Sequence, residues 1–403
     1  IPGGAAFREG TLQAEDKIIS VGQGKGGELE DVRDHRLIDV VKLIRGKRGT
    51  QVRIVFLRKA TGVVEKRIEV VITRDKIELK EGEAKGEVLE RPRPSGANPL
   101  QIGVVQLPSF YVDFSRRRNN PDDYKSASKD VSLILQRFQT EGVAGLILDL
   151  RNNGGGGLDE AVSLAGMFLN QGPIVMVKDL RGRVSVLSNP HESPSFTGPM
   201  LVLMNRYSAS ASEIVAGALK DYGRAVVVGD RATFGKGTVQ NIINLPGGTG
   251  ALKTTVAKFY RPGSASTQNR GVEADIVLPS LNNHLKIGES SLDNALPWDS
   301  VRQPAFRNWG DLDPLLPVLS ERSRKRVQAS QDFQKIASFV QDYVANRKDR
   351  KEVTVHELLL EARERTEAQT PSKDSSKPVD ARAVLDADFV LQESANILSD
   401  LIL

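Results

Sequence analysis

The stretch PMLVLMNRYSASASEIVAGALKDYG, residues 199–223, decides the fold of the central part of the chain. It opens with a short apolar run typical of a buried strand. It continues through a polar turn into a segment whose apolar residues recur at helical spacing. Ser, Ala and Glu just before such a segment suit a helix N-terminus, where the first backbone N–H groups lack partners. The stretch therefore predicts a strand, a turn and a helix in direct succession.

Apolar runs of the same kind lie on both sides of this stretch. They are rich in Val, Ile and Leu and occupy residues 102–107, 145–150, 173–177 and 225–229. Segments of helical length separate several of them, for example residues 129–140 and 158–169. This alternation favours an α/β core with a largely buried sheet that extends to about Pro279.

The N-terminal part of the chain reads as a separate, small αβ module. Residues 16–72 contain strand-like runs on both sides of a predicted helix at residues 37–46. The following residues, 80–99, are rich in charge, Gly and Pro, and are expected to form an exposed connector.

The C-terminal part changes character after Leu281. Charged segments at residues 320–346 and 354–367 have apolar residues at helical spacing and predict an α-helical tail. Residues 371–378, PSKDSSKP, are typical of a low-complexity linker between such helices.

Composition limits the function classes. With 403 residues, 39% of them apolar and 27% charged, the chain is expected to form two or three globular domains. Its net charge of +5 comes from 56 basic and 51 acidic residues that are interspersed, so no nucleic-acid-binding face is predicted. The absence of cysteine excludes thiol nucleophiles, disulfides and cysteine-ligated zinc. Nothing in the pattern indicates a cofactor or a metal.

Two residues carry the sharpest chemical hypothesis. Ser210 falls at the predicted helix N-terminus, where backbone N–H groups and the helix dipole can stabilise an oxyanion. A nucleophilic serine needs a base, and Lys236 in TFGKGTVQ is a candidate because its flanking glycines allow close packing around the ammonium. Desolvation lowers the pKa of a lysine. Structural interpretations stay open: Ser208 and Ser212 suit helix capping, and Lys236 suits an ordinary loop.

A glycine run and four histidines complete the candidates. The run RNNGGGGL, residues 151–158, follows a predicted strand and can expose backbone amides that suit oxyanion binding, or it is a surface turn. The histidines are scattered and form no ligand motif. A Ser-His-Asp triad that uses His191 or His284 stays possible, because triads assemble from distant positions.

Taken together, DLRNNGGG, SASASEI and TFGKGTVQ resemble the C-terminal processing peptidases, and more narrowly their tail-specific protease branch of bacterial periplasms. The resemblance covers nearly the whole chain. IDVVKLIRG resembles part of the PDZ domain of that family, and KFYRPGSASTQNRGVEADIVLP resembles the closing part of its catalytic core. DNALPWDS resembles the start of its helical C-terminal region.

The resemblance implies a role for five residues. By motif position, Ser210 is the nucleophile of a Ser-Lys dyad, Lys236 is its general base, and Gln240 orients the lysine. The amides of Gly156 and Ala211 form the oxyanion hole. The implied reaction is acyl transfer through an acyl-enzyme.

The resemblance also implies the architecture, an α+β and α/β multidomain protein. A PDZ domain is expected over residues 1–75, an α/β, crotonase-like serine peptidase core over 76–287, and an α-helical region over 288–403. Because IPGG at the start resembles the interior of the family's PDZ domain, that domain is expected to be N-terminally truncated in this chain.

The implied activity is that of a periplasmic serine endopeptidase acting on proteins or peptides with apolar C-termini, which the PDZ domain docks as an added strand. An adaptor lipoprotein and peripheral membrane association are compatible with it, and nucleic acid is not expected as a partner. The main alternative is a catalytically inactive PDZ-containing binding or scaffold protein, because the interval from Ser210 to Lys236 is one residue longer than in the family. A Ser-His hydrolase of small esters or amides is the third hypothesis.

Overall fold

The computed structural model describes residues 4–59, 65–75, 82–93, 98–121, 123–246, 249–349 and 385–403. The chain divides into two compact units, Ile1–Glu83 and Ala84–Leu403. The predicted helix at residues 354–367 and the predicted linker at residues 371–378 lie outside the described residues.

The first unit is a small antiparallel sheet with two helices. Its elements are α1 (Ala5–Glu9), β1 (Lys17–Gln23), β2 (Leu29–Asp31), α2 (Leu37–Ile44), β3 (Gln51–Lys59) and β4 (Glu65–Thr73). The strand order is β2-β1-β3-β4. Val52, Ile54 and Phe56 alternate along β3 and are buried together with Val70 and Ile72 of β4, because alternate side chains of a strand share one face. The predicted helix and strands of this module are confirmed.

The second unit contains the remaining elements. In chain order they are β5 (Lys85–Arg91), β6 (Leu100–Gln106), α3 (Phe114–Asn119), α4 (Ala127–Thr140), β7 (Gly145–Asp149), α5 (Leu158–Gly166), β8 (Pro173–Asp179), β9 (Val184–Ser188), β10 (Met200–Met204), α6 (Ala211–Asp221), β11 (Val226–Gly229), β12 (Thr238–Asn244), β13 (Ala251–Tyr260), β14 (Ile276–Val277), α7 (Leu316–Ala329), α8 (Gln331–Asp349) and α9 (Phe389–Ile402).

Six of these strands form the central sheet, in the order β14-β11-β10-β7-β6-β5. Its neighbours pair in parallel from β14 to β6, and only β5 at the edge is antiparallel. The strand β5 corrects the prediction of an exposed connector over residues 80–99. Its backbone pairs with β6 along its whole length, and Leu89 is buried, so tertiary pairing overrides the local signal of charge, Gly and Pro.

The central sheet is covered on both faces. Alternate residues of each strand point to opposite sides, so that Leu146 and Leu148 pack in one core while Ile147 packs in the other. Helices α4, α5 and α6 contribute to the first core, and α7 and α9 contribute to the second. The α/β core and the helical C-terminal region are therefore confirmed, and they explain why the strands read as continuous apolar runs.

A second, antiparallel sheet has the order β12-β13-β8-β9. It carries β12 as an edge strand that begins at Thr238, two residues after Lys236. The helical tail differs in detail from the prediction over residues 320–346, since α7 and α8 are separated by Ser330, whose backbone is extended. No helix in the described ranges is long and apolar enough to span a membrane.

Replacing Leu398 by alanine is expected to lower the free energy of unfolding by about 2–5 kcal/mol, because it leaves a cavity between α9 and the central sheet. Leu398 is fully buried, whereas Leu403, just beyond α9, is 64% exposed. Leu403→Ala is the matched control and is expected to change that free energy by less than about 0.5 kcal/mol. Urea denaturation followed by circular dichroism measures both. Equal effects of the two substitutions would contradict the packing of α9.

Candidate active site

Three connections leave the carboxyl ends of neighbouring parallel strands and meet at one edge of the central sheet, where ligands bind in open α/β folds. Strands β7, β10 and β11 lead to residues 151–157, 205–210 and 230–237. The connections border a cleft of about 570 Å³. All five sequence-predicted site residues line this cleft: Gly156, Ser210, Ala211, Lys236 and Gln240.

Ser210 occupies a strained position between β10 and α6. Its φ of 58° lies in the left-handed region, which costs a non-glycine residue free energy unless the surroundings enforce it. The preceding turn supplies that constraint, because the Ser208 hydroxyl donates to Leu150 O (2.8 Å) and accepts from Asn205 N (3.0 Å). The buried Ser208 side chain thus links the residues that directly follow β7 and β10.

Residues 151–157, here called the glycine turn, lie against the Ser210 turn. The carbonyl oxygen of Asn153 accepts from Ala209 N (2.9 Å) and from the Ser212 hydroxyl (2.8 Å). Ser212 therefore holds the glycine turn to α6. At Gly155, whose φ is 102°, an added Cβ would lie 2.8 Å from Ser210 Cβ, so only glycine allows this approach.

The backbone N–H groups of Gly156 and Ala211, two residues that line the cleft, have no acceptor among the described residues. By contrast, the neighbouring Gly155 N donates to the Asn153 side chain and Ser212 N donates to Ala209 O. Ala211 is the first residue of α6, so its N–H is one of the unpaired donors of a helix N-terminus. These donors can stabilise an oxygen that becomes negatively charged in the cleft.

A buried carboxylate joins the serine to the lysine. Glu213 is fully buried, and its Oε2 accepts from Ser210 N (2.7 Å) and Lys236 N (2.9 Å). Its Oε1 accepts from the Thr233 hydroxyl (2.6 Å) and Gly235 N (2.7 Å). Burial raises the pKa of Glu213 to about 7, against the lowering effect of these hydrogen bonds. We refer to this carboxylate and its four donors as the Glu213 clamp.

From its sequence context, Glu213 was expected only at a helix N-terminus and not in the site. A carboxylate three residues after Ser210 does satisfy the donors of that terminus, which is the ordinary function of such a residue. Its other partners lie some twenty residues further along the chain. The available signal was an acidic residue directly before the apolar segment IVAGAL, residues 214–219, where a buried helix leaves a carboxylate little access to water.

The side chain of Lys236 is half-buried and donates from Nζ to Gln240 Oε1 (3.1 Å). Burial lowers the pKa of Lys236, and the positive charge of Lys253 lowers it further, against the opposite effect of Glu289 and Glu213. Among the described residues there is no hydrogen bond from Lys236 Nζ to the Ser210 hydroxyl. The structure thus brings serine and lysine into one cleft, with the amine held by Gln240.

The backbone around Lys236 is also fixed from the segment STQN, residues 266–269. The Thr267 hydroxyl donates to Lys236 O (3.1 Å), and the buried side chain of Gln268 accepts from Gly237 N (2.9 Å) at Oε1. Neither Thr267 nor Gln268 was singled out from the sequence, although both belong to a quoted motif.

The cleft is lined by both apolar and charged side chains, and the charged ones include Arg117, Asp159, Glu160 and Lys253. Residues 238–242 of β12 line one side, and the apolar side chains of Val112, Ile214 and Phe259 line others. Neither His191 nor His284 lines the cleft, and His191 Nε2 lies 2.9 Å from Ser163 O. His356 lies outside the described residues. Within the described part of the chain, no group of three potential metal ligands is found.

Three stretches of the chain match known families. Residues 101–278 match peptidase family S41, residues 282–403 match the C-terminal domain of tail specific protease, and residues 1–57 match the PDZ domain.

Individual relatives are similar over long segments. The tail-specific protease of Haemophilus influenzae is 35% identical over 427 residues, covering 100% of this chain and 58% of that protein. The chloroplastic C-terminal processing peptidase of Tetradesmus obliquus is 33% identical over 279 residues, covering 69% of this chain and 55% of the relative. The chain thus spans somewhat more than half the length of these relatives. The solved photosystem II D1 C-terminal processing protease is 31% identical, with a TM-score of 0.42 over 69% of this chain and 66% of that chain.

Proposed function

Since the chain belongs to peptidase family S41 and carries a PDZ domain and the C-terminal domain of tail-specific proteases, we propose that it is a serine endopeptidase with a Ser-Lys dyad. In this proposal Ser210 is the nucleophile and Lys236 is the general base. The observation that carries it is the Glu213 clamp, because one carboxylate holds the backbone of both residues at the same cleft. A shared support of this kind suits two groups that must act together.

The geometry suggests the following reaction. Neutral Lys236 accepts the proton of the Ser210 hydroxyl while Oγ attacks the scissile carbonyl carbon. The unpaired N–H groups of Gly156 and Ala211 stabilise the resulting oxyanion. Lys236 then donates the proton to the leaving amine, and an acyl-enzyme on Ser210 is hydrolysed by water that Lys236 deprotonates. In the described arrangement Lys236 Nζ must turn from Gln240 towards Ser210, so Gln240 acts as the resting partner that keeps the amine in the cleft.

The proposed substrates are proteins or peptides with apolar C-termini. The cleft that contains Ser210 is lined in part by apolar side chains, among them Val112, Ile214 and Phe259, which suits substrate segments with apolar side chains. A PDZ domain binds a C-terminal segment as an added strand, so the N-terminal unit would select the substrate end. By family membership we further propose a periplasmic location, with delivery by a lipoprotein adaptor at the membrane surface as a compatible arrangement.

The proposed domain boundaries are residues 1–75 for the PDZ domain, 76–287 for the peptidase core and 288–403 for the helical region. The structural division after Glu83 and the start of the third family match at residue 282 lie close to these boundaries.

A matched pair of substrates tests the proposed function. An unfolded test protein that ends in three alanines and the same protein ending in three aspartates are each incubated with the chain, and fragments are identified by mass spectrometry. The alanine-tailed protein is expected to be cleaved faster. Equal cleavage of both would overturn recognition of apolar C-termini, and absence of cleavage in both would overturn the peptidase assignment.

One observation favours the alternative of a catalytically inactive binding or scaffold protein. Lys236 Nζ is bonded to Gln240 and, within the described residues, not to Ser210. In that case the alanine-tailed protein would bind without being cut, which a binding measurement on the same pair of substrates detects.

Replacing Lys253 by methionine is expected to shift the acid limb of the kcat/KM against pH profile to higher pH. A general base must be deprotonated, so the rate rises with pH through the lowered pKa of Lys236. Lys253 lowers that pKa by charge repulsion, and its removal lets the pKa return towards the ordinary lysine value. Lys253→Arg keeps the charge and serves as the control. An unchanged profile in Lys253→Met would contradict this electrostatic role.

A further inference from the structure

Arg151, the first residue of the glycine turn, is held between two carboxylates. Its backbone N and Nε donate to Asp149 Oδ1 (3.0 and 2.9 Å), and one terminal nitrogen donates to Asp149 Oδ2 (2.6 Å). The other side of the guanidinium faces Asp388, with N–O distances of 3.1 and 2.6 Å. Only 19% of the Arg151 side chain is exposed, so the guanidinium is largely desolvated. It forms a bidentate ion pair with each of the two carboxylates.

Asp388 belongs to the helical C-terminal region and not to the peptidase core. It precedes α9 and caps that helix, because its Oδ1 accepts from Leu391 N (3.0 Å). The helix behind it is anchored, since Leu391, Ala395 and Leu398 are fully buried in the second core of the central sheet. Asp388 therefore approaches Arg151 from a rigid element.

The two residues after Arg151 connect it to the Ser210 turn by hydrogen bonds. The next residue, Asn152, has a φ of 59° and exchanges two hydrogen bonds with Asn205, of 3.0 Å through its backbone N and 2.8 Å through its side chain. Asn153 then holds the Ser210 turn through its carbonyl oxygen. Four glycines follow, and a glycine-rich segment keeps one conformation only when its ends are fixed.

We propose that Asp388 is a positioning residue for catalysis: through Arg151 it fixes the glycine turn, so that the helical C-terminal region sets the geometry of the oxyanion-binding N–H of Gly156. This inference rests on the proposed peptidase function. A peptidase core without this contact keeps Asp149 as the partner of Arg151 but loses the support on the open side of the guanidinium.

Asp388→Asn tests the proposal without removing the helix cap, because asparagine also caps helices well. The expected result is a kcat reduced by about 10–100-fold with KM changed less than about threefold, as a displacement of about 1 Å in catalytic groups produces. Hydrogen exchange of the peptide that contains residues 151–157 is expected to become faster. Asp388→Glu restores the charge and is expected to recover part of the kcat.

Asp400→Asn is the matched control. Asp400 lies on α9, the helix that Asp388 caps, and pairs with two arginines of α7, Arg322 (3.1 Å) and Arg326 (2.8 Å). It is expected to leave kcat and the exchange of residues 151–157 unchanged. If Asp388→Asn keeps the kcat of the parent chain, or loses no more than Asp400→Asn, the proposal is wrong. If the parent chain itself does not cleave, the proposed function fails, and the exchange rates alone decide whether Asp388 fixes the glycine turn.

Discussion

Ser210→Ala and Lys236→Ala are each expected to abolish cleavage of an unfolded protein with an apolar tail, lowering kcat/KM by about 10⁴-fold or more. In the proposed mechanism, the first removes the nucleophilic oxygen and the second removes the group that accepts its proton. Because the two residues act in one step, the double variant is expected to be no worse than either single variant. Fragments are followed by mass spectrometry, and thermal unfolding verifies that each variant folds.

His191→Gln and His284→Gln are the controls that separate a Ser-Lys dyad from a Ser-His triad. Neither histidine lines the cleft, so both variants are expected to keep the activity of the parent chain. Loss of activity in either histidine variant, together with an active Lys236→Ala variant, would establish the Ser-His alternative and exclude the dyad.

Glu213→Gln is expected to reduce kcat by about 10²-fold while the chain remains folded. A glutamine side chain has one acceptor oxygen and an NH2 group, so it cannot accept from all four donors of the Glu213 clamp. In either orientation of the glutamine amide, its NH2 group faces two of these four donors, at least one of which is a backbone N–H. A buried donor without a partner costs about 1–3 kcal/mol, which displaces the catalytic segments.

Steady-state kinetics measures the loss. Glu321→Gln, on the exposed surface of α7, is the control, and equal kcat values would refute the clamp.

The same residue gives a pH dependence of stability with a defined sign. Its pKa of about 7 in the folded protein lies above the ordinary value of 4.5, so folding favours the protonated form. Its contribution to stability is therefore full below pH 4.5 and decreases as the pH rises to about 7, by a total of about 3 kcal/mol. In the proposed mechanism the ionised form holds Ser210 and Lys236, so activity is expected to change in the opposite direction. In Glu213→Gln this part of the pH dependence of unfolding is expected to be absent, which urea denaturation at pH 5 and pH 8 measures.

Local sequence patterns were sufficient for most of the fold. The run at residues 199–204 followed by an apolar-periodic segment specifies β10, a turn and α6, because strand and helix periodicities differ and the capping residues mark the change. The glycines of residues 154–157 likewise indicate a turn with unusual backbone angles. The resemblance to the C-terminal processing peptidases then brought Ser210, Lys236 and Gln240 into one hypothesis, and the structure places these residues at one cleft.

The missed features depend on contacts between distant segments. Strand β5 exists because β6 pairs with it, and its own residues carry mostly loop signals. The partner of Arg151 at Asp388 is 237 positions away, and no periodicity connects the two. Glu213 has a sufficient local reason to stand at a helix N-terminus, which conceals its contacts to Thr233, Gly235 and Lys236.

The packing of α9 on the central sheet has a consequence for biosynthesis. The face of β7 and β10 that carries Ile147, Leu201 and Leu203 is complete only when Leu391, Ala395 and Leu398 cover it. A ribosome adds residues in order, so on a growing chain this face remains exposed to solvent long after Ser210 and Lys236 have emerged. The nascent peptidase core must therefore be shielded from aggregation during that interval. Because Asp388 arrives with the same helix, its contact with Arg151 also forms only after this segment has been synthesised.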